Sequence, residues 1–498
     1  MKNRATLLNM ISGFLLQLCN LISGFIIPKL ILSYFGSEVN GLVASLNQFL
    51  SYIALVEGGI SGVVVANLYK PLVDGDDEKI SSIIVTSDRF YKKIGCIFAI
   101  YSFGLAIIYP IIFNVQHSFV YTFMLTLIMS INLLIQYMFS LTLRNLLSAD
   151  KHIYIANNTQ MIIVILNIIL AIISVLIYPS IHILKLISGS LFVLQPLLFK
   201  YYAKHHYSIN WKAKIDNSLI KERWNGFAIN FAAFIHNSTD IAILTIFSDL
   251  NTVSIYSIYC LVSNGIKSLI NACISGVSAT VGQAYAKGDY DEVKNKLDVY
   301  EYIVFILVFF TFSVASLLIT PFVQIYTRNI SDANYYHPLF GTLLLISEAL
   351  YLIKMPHMNL AYDANKFKEI TIPSFLEAGL NIIISIILVN KWGLVGVTIG
   401  TIVGMIYRTI FHVYFTSKIV PGRKQFVFYK KLLVFTLTAV IGTVICHRFI
   451  PLDNLSVLHW MTFAVIYSMI IGSMYLGISL LLFKEELIYL VRYLKKEE

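Results

Sequence analysis

The sequence predicts an all-α polytopic membrane protein with about fourteen transmembrane helices, arranged as two parallel-repeat six-helix bundles plus two C-terminal helices. Three observations predict this fold class. Hydrophobic residues make up 57% of the 498 residues and charged residues only 13%, and the mean hydropathy is +0.75. Apolar runs long enough to cross a bilayer recur along the whole chain. The chain also repeats part of its own sequence after 214 residues.

Fourteen apolar segments are predicted to form the helices, and short turns separate most of them. The first follows Met-Lys-Asn-Arg directly and is too long for the apolar region of a signal peptide, so it is predicted to be a transmembrane helix. The longest polar connection, 204–225, is too short for a water-soluble domain. The predicted helices are 6–35, 41–69, 91–113, 118–147, 154–178, 181–203, 226–248, 252–286, 299–323, 337–361, 369–390, 394–419, 429–449 and 455–483.

The internal repeat is clearest in two segments that end the second and eighth predicted helices. ISGVVVANLYKPLVDGDDE at 60–78 and ISGVSATVGQAYAKGDYDE at 274–292 share their first four residues, their last two residues and a Gly-Asp turn. Asn167 and Asn381 also occupy matching places in helices 5 and 11. Because six is an even number of helices, the two copies are predicted to have the same orientation.

The repeat predicts where the chain divides into lobes, linker and tail. Parallel six-helix halves are typical of transporters in which a central cavity opens to either side of the membrane. The predicted parts are an N-terminal six-helix lobe at 1–205, a cytoplasmic linker at 206–225, a C-terminal six-helix lobe at 226–420, and helices 13 and 14 with a cytoplasmic tail at 421–498.

The distribution of Lys and Arg predicts the orientation of the chain. Of the 37 such residues, 29 lie at the termini or in the loops on the side of the termini. Both termini are therefore predicted to be cytoplasmic. This bias explains the net charge of +10, so we expect no nucleic-acid partner. The remaining eight are four in the opposite loops, Lys185, Arg328, Lys391 and Arg448, and four within spans, Lys29, Lys267, Lys354 and Arg408.

The sequence contains no motif typical of disulfide bonding, metal binding, nucleotide binding or catalysis. The five cysteines form no CxxC pair and the 11 histidines show no ligand spacing, so neither a disulfide framework nor a metal site is predicted. There is no GxxxxGK[ST] sequence for nucleotide binding and no catalytic-triad motif. We therefore expect a protein that is not an enzyme and that uses no cofactor.

Three stretches carry a resemblance to a known family. They are PKLILSYFGSEVNGLVASLNQFLSYIALVEGGI at 28–60, LYKPLVDGDDEKI at 68–80 and KWGLVGVTIGTIVGMIYRTI at 391–410. With the helix order, they resemble the multidrug/oligosaccharidyl-lipid/polysaccharide exporter (MOP) superfamily, and in detail its polysaccharide-transporter branch, the Wzx-type flippases.

This resemblance implies a function, a location and partners. A Wzx-type flippase of the bacterial cytoplasmic membrane moves polyprenyl-diphosphate-linked oligosaccharide units from the cytoplasmic to the outer leaflet, for capsule, exopolysaccharide or O-antigen-type polysaccharide biosynthesis. It would do so by alternating access between two lobes. The implied partners are this substrate, membrane lipids, H⁺ or Na⁺ as coupling ion, a polysaccharide polymerase and glycosyltransferases.

Cations inside the predicted spans are the candidate ligands for the substrate diphosphate. A Lys or Arg in mid-membrane costs at least ~2.5–3.5 kcal/mol unless it faces a cavity or a partner. Lys267 in helix 8 is the first candidate, and a structural ion pair with Asp240 is its alternative. Arg408 suits bidentate phosphate contacts, and snorkelling towards the cytoplasm is its alternative. The further substrate-binding candidates are Lys354, with Glu348 as an alternative partner, Lys29 and Arg144.

Acidic and amide side chains inside the spans are candidates for other roles. Glu57 in helix 2 has Asn271 as its counterpart in the second copy, so the acid is present in one half only. Glu57, Asp240 and Glu348 are candidates for ion coupling or for ion pairs. The polar cavity candidates, for which hydrogen bonding between helices is the alternative, are Asn47, Gln48, Asn237 and Asn264.

Three other functions compete with this prediction. A cation-coupled drug or metabolite antiporter of the same superfamily would need mostly acids in its cavity, whereas four cations lie within these spans. A peptidoglycan-precursor (lipid II) flippase is a second alternative. A membrane enzyme such as a polysaccharide polymerase is disfavoured, because the outer loops are short and the six-helix unit is duplicated.

Overall fold

The computed structural model describes residues 2–57, 59–113, 116–216, 238–449 and 456–488. Every regular element in these ranges is helical, which confirms the predicted all-α fold class. The helices are α1 (Lys2–Ser51), α2 (Ala54–Glu57), α3 (Ile60–Asp74), α4 (Asp77–Ile112), α5 (Phe119–Ile135), α6 (Leu141–Ala149), α7 (Ile153–Ile177), α8 (Ile181–Ser190), α9 (Leu194–His206), α10 (Ser238–Phe247), α11 (Leu250–Lys287), α12 (Tyr290–Tyr326), α13 (Pro338–Ile353), α14 (Met355–Asp363), α15 (Phe367–Ile419), α16 (Gln425–Phe449) and α17 (Val457–Leu482).

Eleven helical stretches of the described residues are long and apolar enough to cross a membrane. Two of them contain a break that the sequence predicts as a helix boundary. In α1 the break is at Gly36, with φ 86° and ψ 177°, and in α15 it is at Gly393, with φ 50° and ψ −122°. Only glycine adopts such a backbone easily, so each long helix corresponds to two predicted ones. Most of the seventh predicted helix, 226–248, lies outside the described residues.

Three of the predicted helices are less regular than the hydropathy suggests. The second is interrupted after Ser51 and again at Gly59, which has φ 78°. The fourth contains a π-helical turn, Gln136–Ser140, between α5 and α6. The tenth is interrupted at Lys354, between α13 and α14. π-turns and interruptions of this kind often occur at functional positions of a helix.

The two Gly-Asp turns of the repeat have the same local structure. Gly75 follows α3 with φ 69°, and Asp76 then accepts a hydrogen bond from a backbone N–H of α4 at 2.9 Å. Gly288 follows α11 with φ 75°, and Asp289 accepts the matching bond from α12, also at 2.9 Å. The glycine ends one helix in the left-handed region and the aspartate caps the next. The repeated sequence therefore encodes a repeated helix end.

The described chain separates into two compact units. The first comprises Met1–Phe234 with Asp249–Ser254, and the second comprises Ile235–Ser248 with Ile255–Glu498. The first unit has a core of buried aliphatic and aromatic side chains such as Leu42 and Phe98. The two C-terminal helices belong to the second unit, where α16 and α17 both pack against α12.

A buried charge cluster fastens α16 to α12 within the second unit. The Glu301 carboxylate of α12 is fully buried and lies 2.6 Å from Arg423 and 3.1 Å from Lys431. The ring of His357 lies 3.2 Å from the same carboxylate. Burial lowers the pKa of Arg423, but Glu301 and Asp298 more than offset this and raise it. Arg423 therefore stays charged, and the cluster holds the turn before α16 in place.

Candidate functional site

Lys267 of α11 forms an ion pair with Glu348 of α13. The Lys267 Nζ lies 2.9 Å from Glu348 Oε2 and 3.1 Å from Oε1. The two side chains are 17% and 16% exposed, so the pair can be reached from its surroundings. The alternative pairing of Lys267 with Asp240 is therefore wrong, and so is the pairing of Lys354 with Glu348. Both alternatives are wrong because the packing between helices, which the sequence does not show, decides which charged side chains form ion pairs.

A second and more buried group of charges centres on Glu377 of α15. Arg408 Nη1 donates to Glu377 Oε2 at 2.7 Å, and Lys354 Nζ lies 3.9 Å from Oε1. Arg408 Nε also donates to His412 Nε2 at 2.7 Å, which requires this nitrogen of His412 to be unprotonated. The Arg408 side chain is 5% exposed, so the alternative of snorkelling towards the cytoplasm is wrong. The guanidinium is instead held inside the unit by Glu377.

Tyr351 connects the two groups of charges. Its ring centroid lies 5.3 Å from the Nζ of Lys267 and 4.7 Å from the Nζ of Lys354, within the range of cation–π attraction. Three cations from three parts of the sequence thus form one connected network with two carboxylates. The network carries a net charge of +1, which favours the approach of an anion. Its members are Lys267, Glu348, Tyr351, Lys354, Glu377 and Arg408.

Local structure explains how Lys354 enters this network. Lys354 lies at the interruption between α13 and α14, and Pro356 follows in the first turn of α14. Proline lacks a backbone N–H and its ring disfavours a continuous helix at this point. In the first copy the position 214 residues earlier is Ser140, the last residue of the π-turn. Both copies therefore interrupt the same helix at the same place, but only the second puts a cation there.

Asp240 of α10 is surrounded by hydroxyl groups. Tyr256 donates to its Oδ2 at 2.8 Å and Thr401 at 3.0 Å. The Thr401 hydroxyl also lies 3.5 Å from Oδ1 of Asn381. Within the described parts of the chain, no cation lies within ion-pair distance of Asp240. A carboxylate among neutral oxygens is suited to hold a proton or a small cation.

Asn381 and its counterpart Asn167 make related contacts in the two copies. Ser188 donates to Asn167 Oδ1 at 2.6 Å in the first copy. In the second copy, Ser385 donates to Asn381 Oδ1 at 3.0 Å, on the same oxygen that faces Thr401. Both asparagines therefore accept from a serine hydroxyl, although Ser188 lies on the helix after Asn167 and Ser385 on the same helix as Asn381.

Glu57 of the first unit also lies among hydroxyl groups. Ser61 donates to its Oε1 at 2.6 Å, and Tyr137 of the π-turn donates to its Oε2 at 3.2 Å. The Ser61 hydroxyl contacts Tyr91 at 2.7 Å, and Asn145 donates to Tyr91 at 2.8 Å. None of these partners is a cation, so the described contacts leave the charge of Glu57 uncompensated.

The second copy has an amide where the first has this acid. Asn359, which is 214 residues after Asn145, donates to Ser278 and Tyr300 at 3.0 Å each. The counterpart of Glu57 is Asn271, whose Oδ1 is buried and has no hydrogen-bond partner among the described residues. These side chains line a cavity of about 380 Å³ together with Asp363. In each copy the matching asparagine donates to a tyrosine hydroxyl, and the copies differ in the residue at position 57 or 271.

The remaining predicted site residues are not joined to the network by the described contacts. Lys29 is partly buried in α1, and Arg144 is exposed on α6. Gln48 donates to Ser51 of its own helix at 3.3 Å, so it does not connect two helices there. Asn47 and Asn264 are exposed, and Asn237 lies outside the described residues.

Sequence reasoning missed Glu377, Tyr351 and His412. Glu377 carries a detectable signal, because it is a lone acid in the apolar stretch of helix 11. Tyr351 carries a weaker one, because it is the repeat counterpart of Tyr137 and one of 31 tyrosines. His412 carries none that separates it from the other ten histidines.

Comparison with solved structures places this fold among known membrane proteins. The lipid II flippase MurJ, in an inward closed conformation, is 16% identical, with a TM-score of 0.71 over 94% of this chain and 98% of that one. An inward-facing multidrug resistance MATE family transporter of the MOP superfamily is 15% identical, with a TM-score of 0.64 over 81% and 95%. An outward-facing conformation of such a transporter is 15% identical, with a TM-score of 0.54 over 84% and 94%.

Comparisons at the level of sequence give no family. No family model matches the chain, and no curated protein matches it. At 15–16% identity the structural likeness establishes the fold. The chain therefore has the all-helical fold that MurJ and MATE transporters of the MOP superfamily share.

Proposed function

We propose that the protein is a flippase that moves polyprenyl-diphosphate-linked oligosaccharide units from the cytoplasmic to the outer leaflet of the bacterial cytoplasmic membrane. It would serve capsule, exopolysaccharide or O-antigen-type polysaccharide biosynthesis and work by alternating access. The observation that carries the proposal is the network of Lys267, Lys354 and Arg408. Three cations and two carboxylates inside an apolar chain form a site suited to an anionic group. Similarity to a lipid II flippase in fold supports a lipid-linked substrate.

Lys267 is the member of the network that we propose binds the diphosphate. It is 17% exposed, whereas Lys354 and Arg408 are 3% and 5% exposed. The diphosphate would replace Glu348 as the partner of Lys267. When the substrate leaves, Glu348 pairs with Lys267 again, so the cation does not remain uncompensated in the membrane. Because the diphosphate and Glu348 compete for Lys267, the substrate binds weakly enough to be released.

Lys354 and Arg408 have a positioning role in this proposal. Glu377 neutralises only part of their combined charge, so the surplus attracts an anion towards Lys267. Their own side chains stay locked by short contacts to Glu377, His412 and Met405. A locked cation cannot follow the substrate, so the contact with the moving group falls to Lys267.

Glu57 and Asp240 are the proposed coupling residues. Each carboxylate accepts hydrogen bonds from hydroxyl groups, and no ion pair among the described residues joins it to a cation. Uptake of H⁺ or Na⁺ at such a carboxylate removes an uncompensated charge and changes the preferred packing of its helix. This supports ion-driven cycling, with Glu57 acting in the first unit and Asp240 in the second.

The proposal is tested by transport in liposomes that contain the purified protein. The substrate is a fluorescent polyprenyl-diphosphate-linked oligosaccharide, and the measurement is the fraction of glycan that changes its accessibility to an added glycosidase. Lipid II is measured in parallel, because the fold similarity to a lipid II flippase favours it as a second candidate. Transport of lipid II alone would replace the proposed substrate. Export of a cationic drug without flipping of either lipid would overturn the flippase proposal.

A further inference from the structure

A large cavity of the second unit is lined by none of the residues of the charge network. Its volume is about 1160 Å³, and it is lined by the last part of α12, the start of α13, the end of α16 and the residue before α17. The network and the Glu301 cluster lie elsewhere, because none of their residues lines this cavity. In the predicted orientation the end of α12 is extracytoplasmic, so the cavity faces the outer side of the membrane.

Two of the four cations on the outer side line this one cavity. The sequence places only Lys185, Arg328, Lys391 and Arg448 in outer loops. Arg328 and Arg448 are 120 residues apart in the chain and both line the cavity, together with His447. Cations are disfavoured in loops that must cross the membrane during insertion. The presence of both arginines at one cavity therefore indicates that they have a function there.

The lining of the cavity suits an anion. Among the described residues that line it there is no Asp or Glu, and Gln324 adds an amide that can donate hydrogen bonds. Arg328, Arg448 and His447 are exposed, and their side chains have no hydrogen-bond or ion-pair partner among the described residues. A position near a helix C-terminus accounts for each arginine separately, by about 0.3–1 kcal/mol of interaction with the helix dipole. It does not account for two arginines that line one cavity without an acid among its described residues.

Aromatic residues beside the cavity are of the kinds that occur at the depth of lipid headgroups. The indole of Trp460, in the first turn of α17, donates to the Leu318 carbonyl at 3.1 Å and packs on Phe322 at 5.4 Å. Tyr336, which lines the cavity, is 56% exposed. Trp and Tyr are enriched where the membrane meets water. Leu317 and Ile325 give the cavity an apolar wall beside its cations.

We propose that this cavity binds a phosphate group at the outer surface of the membrane, with Arg328 and Arg448 as its ligands. The phosphate can belong to the headgroup of an anionic phospholipid or to a free diphosphate. Arg suits either, because its planar guanidinium makes paired hydrogen bonds to phosphate oxygens. The site is separate from the proposed transport path, so it can exist whether or not the protein is a flippase.

Native mass spectrometry of the purified full-length protein tests this proposal. Three probes are added separately: phosphatidylglycerol, phosphatidylcholine and inorganic diphosphate. We expect the double variant Arg328→Gln/Arg448→Gln to weaken binding of the anionic probe about tenfold or more, the effect of losing charge-assisted hydrogen bonds. Lys391→Gln is the matched control, because Lys391 is an exposed outer cation that does not line the cavity. Arg328→Lys/Arg448→Lys keeps the charge and should retain most of the binding.

The probes separate the two sources of phosphate. Binding of phosphatidylglycerol that diphosphate does not displace identifies a lipid headgroup site. Binding of diphosphate with the same dependence on the two arginines identifies a site for free phosphate. Equal binding of every anionic probe by the wild type and the folded Arg328→Gln/Arg448→Gln variant would overturn the proposal, and so would equal loss in Lys391→Gln.

Discussion

Lys267 and Glu348, 81 residues apart in the sequence, form a partly exposed ion pair between α11 and α13. The pair defines the most accessible cation of the charge network. Because Glu348 is a partner that can be exchanged, the pair distinguishes a binding role for Lys267 from a purely structural one.

The first prediction concerns this pair. Lys267→Ala should abolish transport of the lipid-linked oligosaccharide, because the diphosphate loses its ligand, whereas Lys267→Arg should retain part of it. The single Ala variant also leaves Glu348 without its cation, which should cost less than the about 3–5 kcal/mol of a fully buried pair. Transport in liposomes and thermal unfolding are measured on the same preparations.

A double variant distinguishes a substrate-binding role of Lys267 from a purely structural role. Lys267→Ala/Glu348→Ala removes both charges and should recover the unfolding temperature without recovering transport. Recovery of full transport by the double variant would show that Lys267 acts only as the partner of Glu348.

The second prediction concerns Glu377. Glu377→Gln should lower the free energy of unfolding by about 3–5 kcal/mol, because Arg408 and Lys354 then lie buried without a carboxylate. Glu369→Gln, on the same helix, is the control, since Glu369 pairs with Lys366 at 3.5 Å and both are more than 40% exposed. Its change should stay within about 1 kcal/mol. Equal effects of the two changes would contradict the network.

The third prediction concerns ion coupling. Glu57→Gln keeps a hydrogen-bonding side chain beside Ser61 and Tyr137 but removes the charge. We expect transport to lose its dependence on the H⁺ or Na⁺ gradient while the unfolding temperature changes little. The measurement is transport with and without each gradient. Glu78→Gln, which changes an exposed acid at the start of α4, should leave the dependence intact. An unchanged gradient dependence in Glu57→Gln would remove Glu57 from the coupling role.

The fourth prediction concerns a close approach of two backbones in the first unit. A Cβ added at Gly41 would lie 1.8 Å from the carbonyl oxygen of Leu250. Gly41→Ala should therefore destabilise the protein by about 1–3 kcal/mol or more, as overpacking does. At Gly104 of α4 an added Cβ meets nothing within 4 Å, so Gly104→Ala should be neutral or stabilising by up to about 1 kcal/mol. Thermal unfolding of both variants checks the contrast.

The fifth prediction concerns orientation. Single cysteines at Asp76, Lys212 and Lys424 should react only with reagents inside the cell, and cysteines at Arg328 and Lys391 with reagents outside. All five positions are exposed, so the labelling reports topology. Ser37, at a predicted outer turn, is fully buried and would give no signal on either side. A reversed result at any one of the five would contradict the fourteen-helix topology at that place.

The sequence was sufficient to predict the helices and the repeat, because hydropathy and self-similarity are properties of the chain itself. It did not reveal the π-helical turn Gln136–Ser140 or the interruption at Lys354, since both lie within continuous apolar stretches. The partners of Lys267 and Arg408 could not be predicted either. Glu348 and Glu377 lie on other helices, and only packing decides which faces meet.

The matching asparagines Asn145 and Asn359 point to a duplication within the gene. A duplication gives two identical copies, and the copies then change independently. Both asparagines still donate to a tyrosine hydroxyl, whereas position 57 is an acid and position 271 an amide. The two copies have therefore kept one kind of polar contact and diverged at another position. Asn271→Glu would bring the second copy back to the residue of the first, in a cavity of about 380 Å³ that has room for it.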